Sequence, residues 1–537
     1  MPKAISRLAV IGCGPRALGA LEALALRQSP SAPEIHVDIF DPHPAHGAGP
    51  NFDPAETDLC QLNIPVRALD LGKGVGFCSV QDWLGDDNAE GFPARSRLGD
   101  YLMARFKALT VNASSLRIST IGASANDLRK QDAGWIVTCD EMRHGPYDAV
   151  LMTPGQPATR DDPQLSAWRD HATSVGAGIA SAYPARDLLT AAKGWGGRNV
   201  AIRGLGLSTL DVLRVLTLGL GGRFQGDRYL PSGAEPARIL PFSLTGRAPF
   251  PKPATADLDA GFDPTVQETD AFRAALASAM REPPERAPRR LASAFVAPTL
   301  RLMSGRATSG QIQDWLRAEC EDPDSQDDRD TATALRDGIA EASGQRPASI
   351  GYTIGQLSRK WQNQMRQGFN PALVDAGTAA ALVGFDNGLK RYSYGPPIQT
   401  ARQMLTLIRA GLVDPRKADD PEIRMIDSGW QLIEGDDSAL VSVMVDAVLP
   451  SPDLSRIADP MIRALVEHGR MVPVTDGMGA QLHAGGQVVD EHGRSHDGLY
   501  LLGRMGLGSV IAVDSLHDCF GAAADRWADA VLRHMKH

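Results

Sequence analysis

One stretch near the start of the chain dictates its own local fold. In "RLAVIGCGPRALGALEALAL" the apolar run Leu8–Ile11 meets Gly12, Cys13 and Gly14, and Pro15 begins a segment with apolar residues at helical spacing. A short continuous apolar run reads as a buried parallel strand. Gly12 permits a tight turn, and Gly14 has no side chain to hold a pyrophosphate off the backbone. Pro15 suits the first helical turn, where its missing N–H leaves nothing unpaired. A second strand, "EIHVDIF", ends in Asp41, whose carboxylate can accept hydrogen bonds from ribose hydroxyls. Strand, glycine turn, helix, strand and acid in that order predict a dinucleotide site at Gly12, Gly14, Pro15 and Asp41.

A similar loop recurs in "NVAIRGLGLSTLDVLRVL". Val200–Ile202 reads as a strand, Gly204 to Gly206 as the turn, and Ser208–Leu218 as the helix. Gly204 and Gly206 let phosphates approach, and Ser208 or Thr209 can cap the helix or bond a phosphate oxygen. Arg203, Arg223 and Arg228 are candidates to clamp the 2′-phosphate that distinguishes NADPH from NADH. The loop predicts a nicotinamide nucleotide, NADPH or NADH. Two more strand-to-glycine turns follow the theme: "YDAVLMTPGQPA", with Gly155, and "DGLYLLGRMGLGSVIAVDSL", with Gly503, Gly506 and Gly508. In the latter a helix N-terminus offers unpaired N–H groups to a pyrophosphate or a flavin carbonyl edge. Together they favour FAD on the first loop.

Composition sets the outer limits. With 537 residues, 43% of them hydrophobic, the chain is long enough for two or more domains. A net charge of -9 argues against a nucleic-acid partner, which wants a basic face. No apolar run is long enough to span a bilayer. The six cysteines are scattered without a CxxC pair, which points to a reducing cytoplasm and away from a dithiol–disulfide reductase. The acidic run Glu321–Asp330 reads as a solvated loop, and no metal site is predicted. A homo-oligomer is left open.

Several blocks together resemble a known group: "VIGCGPRALGALEAL", "LNIP" (Leu62–Pro65), "FPARSRLGDYL", "YLPSGAEPARILPFSLTG", "SYGPP" and "GLYLLGR". They are similar to the FAD/NAD(P)-binding family marked by a GxGPRGL-type loop, some members of which are flavin-dependent amino-acid N-monooxygenases. The resemblance spans nearly the whole chain. It implies an α/β, two-dinucleotide-binding flavoprotein, with a Rossmann-like FAD domain, an NAD(P) domain and a helical insertion or cap. It further implies that Arg16 joins Gly12, Gly14 and Pro15 at the FAD pyrophosphate. Asn63 would approach the flavin, Arg95 would sit beside it, and Gly503 and Arg504 would form the C-terminal flavin turn. The chain departs from the pattern where the ATG triplet of flavin N-hydroxylases reads Thr153-Pro154-Gly155, and it lacks the Baeyer–Villiger fingerprint.

The expected division is an FAD domain over residues 1–160, an NAD(P) domain over 161–254, a mostly helical cap over 255–435, and a return to the FAD domain over 436–537. In that last part "SALVSVMVDAVLP", with Asp446, reads as the final strand of the flavin sheet. Lys390 and Arg391, in "GFDNGLKRYSYGPP", are candidate partners for a substrate carboxylate, with Tyr392 or Tyr394 packing nearby, and Lys252 in "PFPKP" has a similar claim. The resulting expectation is an NADPH-using monooxygenase that passes one atom of molecular oxygen from a flavin C4a-hydroperoxide to a small substrate, an amine or amino acid. In such chemistry the protein positions the cofactor and excludes water, so no separate catalytic triad is expected. The alternatives are a flavin oxidoreductase without oxygen insertion and a non-catalytic dinucleotide-binding protein.

Overall fold

A computed structural model describes residues 6–29, 31–85, 89–323, 325–370 and 373–535. Asp324 of the acidic run and His537 of the C-terminal segment lie outside them.

The first apolar run becomes the strand Arg7–Ile11, near the centre of a six-stranded sheet. Its spatial order is Gln487–Val489, Ser495–Leu501, Ala149–Met152, Arg7–Ile11, Ile35–Phe40 and Leu116–Ile121. All neighbours pair in parallel except the edge strand Gln487–Val489. Helices and a three-stranded antiparallel meander, Asp127–Tyr147, cover the two faces, as a parallel sheet with apolar strands requires. The helix Pro15–Arg27 and the C-terminal helix Ala522–His534 pack together on one face, burying Leu18, Leu21, Trp527 and Val531.

The second loop sits in a separate four-stranded parallel sheet, ordered Arg238–Phe242, Asn199–Arg203, Val443–Asp446, Gly178–Ser181. This corrects the sequence reading of "SALVSVMVDAVLP". Val443–Asp446 lies between Asn199–Arg203 and Gly178–Ser181, so it completes the second sheet and not the flavin sheet. A short apolar strand ending in an acid looks the same in either place, and only its partners tell them apart. Asp446 bonds to Arg203 across the strands.

The expected cap is helical from Ala256–Ala260 through Ile398–Arg409. After it the chain rejoins the second sheet through an antiparallel three-stranded unit, Glu422–Val441. The helical region is therefore shorter than residues 255–435, and the return to the first sheet begins only after Asp446. The cap core includes Phe272, Trp361 and Phe385, and Leu507, Ile511 and Val513 from the C-terminal glycine turn insert into it. No helix among the described residues is long and apolar enough to cross a membrane.

Candidate active site

The two glycine turns have the same construction. Gly12 has φ +90°, donates to the Phe40 carbonyl at 2.9 Å, and a β-carbon there would strike the Thr153 carbonyl. Gly204 has φ +119° and donates to the Phe242 carbonyl at 2.7 Å. Each first glycine is thus required by its backbone conformation. The second glycines differ in kind. Gly14 and Gly206 stand at helix N-termini in extended conformations (φ -85°, ψ -169° and φ -84°, ψ -160°), and a β-carbon on either would meet nothing within 4 Å. No side chain caps either helix, so the orphan N–H groups of each first turn face open space that an anion fits. Gly155 also has open space about it, in the turn whose Thr153 hydroxyl donates to the Gly12 carbonyl at 2.9 Å. These cradles suit the pyrophosphates of FAD and of a nicotinamide nucleotide.

Not every predicted contact falls on the nucleotide. The Asp41 carboxylate accepts from the Cys13 N–H at 2.5 Å and the His43 N–H at 2.8 Å, which fixes the loop; further lone pairs stay open to a ribose. The Arg16 guanidinium turns to Asp518 at 2.7 Å and to the Val513 carbonyl at 3.2 Å. It ties the first loop to the C-terminal segment and does not line the pyrophosphate cradle. Thr209 is fully buried and donates to the Gly204 carbonyl at 2.7 Å, so it braces the turn and binds no phosphate. Ser208 lines the cleft described below.

The candidate 2′-phosphate arginines are displaced too. Arg203 is paired with Asp162 at 2.6 Å and with Asp446. Arg223 and Arg228 lie on a hairpin that follows the C-terminal end of the helix Leu207–Thr217, a helix about 16 Å long at 1.5 Å per residue with the phosphate-binding turn at its other end. The two sheets show a better position. Phe40 pairs with Ile11 and is followed by Asp41; Phe242 pairs with Arg203 and is followed by Ser243. A neutral hydroxyl thus stands where the first sheet places its ribose acid.

The second turn opens onto a cleft of about 760 Å³, which is closed by the loop 61–69, the C-terminal segment and the cap. Asn63, Arg95, Gly204, Gly206, Lys252 and Tyr394 all line it. Arg95, at the start of the helix Arg95–Asn112, forms an ion pair with Asp211 of the second glycine-turn helix at 2.6 Å. Burial drives the Asp211 carboxyl upward against this pairing, and Tyr183 bonds to the same oxygen. Lys252 donates to the Asn63 backbone carbonyl. Burial first, and Arg359 second, lower its amine to about 7. The Tyr394 hydroxyl donates to Gln362 at 3.1 Å.

Lys390 and Arg391 are not at the wall. Lys390 forms an ion pair with Asp514 at 3.0 Å, and Asp514 also holds Arg504 at 2.7 Å. Lys390 therefore fastens the cap to Asp514 of the C-terminal segment, and Arg504 of the glycine turn braces the same carboxylate. Arg391 is buried, paired with Asp327 at 2.6 Å and placed against Phe250 and Tyr392. Its neighbour in sequence reaches a flavin-side segment, while Arg391 itself points into the cap interior. Tyr392 is buried there as well.

The sequence reading passed over the wall that the cap contributes. Arg359, Gln362, Asn363 and Arg366 recur at i, i+3, i+4 and i+7 and all line the cleft. Arg359 binds Asp259. Arg366 donates to the Ala512 carbonyl at 3.1 Å and to Asn363 at 2.6 Å, with no carboxylate partner among the described residues. His517 enters from the C-terminal segment and bonds to the Ala68 carbonyl at 2.9 Å; burial lowers its pKa. The signal for the cap wall was the helical recurrence of polar residues in "RKWQNQMRQ".

A model of the FAD-NAD(P)-binding family matches residues 9–157. The chain is 27% identical to nitrosuccinic acid synthase of Aspergillus oryzae, an alignment covering 93% of this chain and 87% of that protein. It is 24% identical to a nitrosuccinate-forming L-aspartate N-monooxygenase of Streptomyces cremeus, covering 86% and 82%. Among solved structures, the FAD-bound cadaverine monooxygenase of desferrioxamine biosynthesis from Erwinia amylovora matches with a TM-score of 0.50 at 12% identity, covering 99% of this chain and 94% of that one. At that identity the likeness bears on the fold alone. Residues 9–157, which match the FAD-NAD(P)-binding model, supply four of the six strands of the first sheet, and the chain as a whole has a two-dinucleotide-binding fold.

Proposed function

We propose that the chain is an FAD-dependent monooxygenase that uses NADPH and molecular oxygen to oxidise the amine of a small amino acid, with L-aspartate the first candidate. The observation that carries this reading is the cleft onto which the second glycine turn opens, walled on the cap side by Arg359, Gln362, Asn363 and Arg366 and on the other side by Asn63 and Arg95. Guanidinium and amide groups gathered on one wall, from the end of the helix Ile350–Lys360 and the start of the helix Gln362–Phe369, suit a substrate with carboxylates. The names of the two curated relatives, both tied to nitrosuccinate, support the same choice.

The chain's own residues bind, orient and shield. The helix N-terminus at Gly14 holds the FAD pyrophosphate, and the one at Gly206 holds that of NADPH. Arg95 and Asp211 join the two nucleotide domains at the cleft. Lys390, Asp514 and Arg504 fasten the cap over the glycine turn and keep bulk water from the reacting centre. Bound FAD, reduced by NADPH, supplies the electrons that divide molecular oxygen between substrate and water.

The test follows NADPH consumption and peroxide release by the FAD-loaded protein, with and without L-aspartate. Flavin that bleaches under NADPH and returns in air, with peroxide release suppressed by L-aspartate, supports the reading. Bleaching with stoichiometric peroxide for every amino acid tried makes the chain an oxidoreductase without oxygen insertion. A flavin that stays oxidised under excess NADPH removes the catalytic role of the second turn.

A further inference from the structure

Oxidation at an amine nitrogen requires a free electron pair on that nitrogen, whereas an amino acid arrives at neutral pH as an ammonium ion. The site therefore needs a proton acceptor. Of the two lysines that line the cleft, Lys360 faces the Asp259 carboxylate, and Lys252 stands apart. Lys252 has no carboxylate in ion-pair distance among the described residues. Its amine donates to the neutral Asn63 backbone carbonyl, in a loop that borders the cleft. Arginine cannot serve, since its guanidinium keeps its proton in proteins.

We propose that the Lys252 amine is the base that takes the proton from the substrate's ammonium group. This rests on the amine-oxidising function proposed above. In the neutral form Lys252 has two N–H bonds and one electron pair; one N–H is held by Asn63, which aims the rest of the group at the cleft. The substrate R–NH3+ passes one proton to Lys252, leaving R–NH2 and a lysine ammonium. No electrons change owner in this step, and the proton leaves to solvent with product. The groups around Lys252 favour the neutral amine. Burial and Arg359 oppose its charge, while Asp259 favours it from a carboxylate already bound to Arg359 and Lys360. His517 faces it from the C-terminal segment, and its own pKa is lowered in part by Lys252. Arg67 approaches Asp259 from the loop side at 3.9 Å.

Two measurements test this. The first is pH-dependent trace acetylation of the FAD-loaded enzyme, read peptide by peptide in the mass spectrometer; Lys252 is expected to titrate near pH 7, and titration beside ordinary lysines overturns the inference whatever the substrate. The second compares wild type, Lys252→Met and Lys252→Arg with L-aspartate as substrate across pH. The expected result is a wild-type product yield that rises through about pH 7. Lys252→Met should yield roughly 100-fold less product at neutral pH, with NADPH oxidation continuing to peroxide. That yield should return only as pH rises toward the ionisation of the substrate's own amine. Lys252→Arg should behave like Lys252→Met. Recovery in Lys252→Arg, or a loss that no rise in pH repairs, assigns Lys252 a positioning role and overturns the proposal. Wild type that makes no oxygenated product overturns the proposed function itself, and this inference with it.

Discussion

Gly14 and Gly206 stand 192 residues apart in the chain and hold the same place, each the last extended residue before a helix, each with open space where a side chain would project. Their partners Gly12 and Gly204 are needed for a different reason, a backbone in the left-handed half of φ. The fold and the binding function are thus separable by mutation within a single loop.

Gly14→Val is expected to fold and lose its flavin. The position has an ordinary φ and no protein atom within 4 Å of a β-carbon, so the added methyls enter the pyrophosphate's space alone. Gly12→Val, by contrast, would clash with the Thr153 carbonyl and disturb the sheet itself. Circular dichroism with the ratio of flavin to protein absorbance separates the two outcomes. A well-folded, fully yellow Gly14→Val protein would place FAD elsewhere.

Gly206→Val is expected to keep its flavin and lose its reductant. The side chain would stand over the second helix N-terminus, and a displaced nicotinamide slows hydride transfer by about 100-fold or more. Anaerobic stopped-flow bleaching by NADPH measures it. An unchanged rate would mean that NADPH approaches the flavin by another route.

Ser243 offers a test of nucleotide choice. It occupies the position that Asp41 holds in the first sheet, and a neutral side chain there tolerates a 2′-phosphate. Ser243→Asp sets a carboxylate against that phosphate, and kcat/KM for NADPH should fall roughly tenfold or more relative to NADH. A preference unmoved by the substitution would place the 2′-phosphate off this loop.

Arg391 is expected to matter for stability and not for substrate. Its guanidinium and the Asp327 carboxylate are both nearly sealed from solvent. Arg391→Ala should cost toward the low end of about 3–5 kcal/mol, because Arg329 still holds Asp327. KM for the amino acid should not move. Burial pushes Asp327 up, but hydrogen bonds from Arg329 and Arg391 outweigh it and hold the carboxyl at about 2, below its ordinary 3.8. A lowered folded-state pKa stabilises fully above about pH 4 and ceases to as pH falls through 2. Chemical denaturation of wild type and variant should therefore differ most near neutrality and converge in acid.

Both nucleotide turns could be read from the chain because a strand, two glycines and a helix are local, and their glycines sit within a few residues of the anion they admit. What the sequence hid was pairing at long range. Val443–Asp446 carries no mark of the sheet it joins; its neighbours lie more than 230 residues upstream. Lys390 and Arg391 are adjacent, yet helical geometry sends one to Asp514 and the other into the cap core, a difference that charge alone does not reveal. Arg16 and Arg504 were read as cofactor contacts from the company they keep. Each is held instead by an acid of the C-terminal segment, Asp518 and Asp514. The polar face from Arg359 to Arg366 was legible in its helical recurrence. Its meaning depended on which cavity that face would meet, and only the fold supplied the cavity.

The most direct test of the account is the mass of the product formed from L-aspartate by the FAD-loaded enzyme with NADPH under isotopically heavy oxygen gas. The account predicts heavy oxygen on the former amine nitrogen, with NADPH oxidised in proportion. Full consumption of NADPH to heavy peroxide, with L-aspartate and other amino acids recovered unchanged, would contradict it.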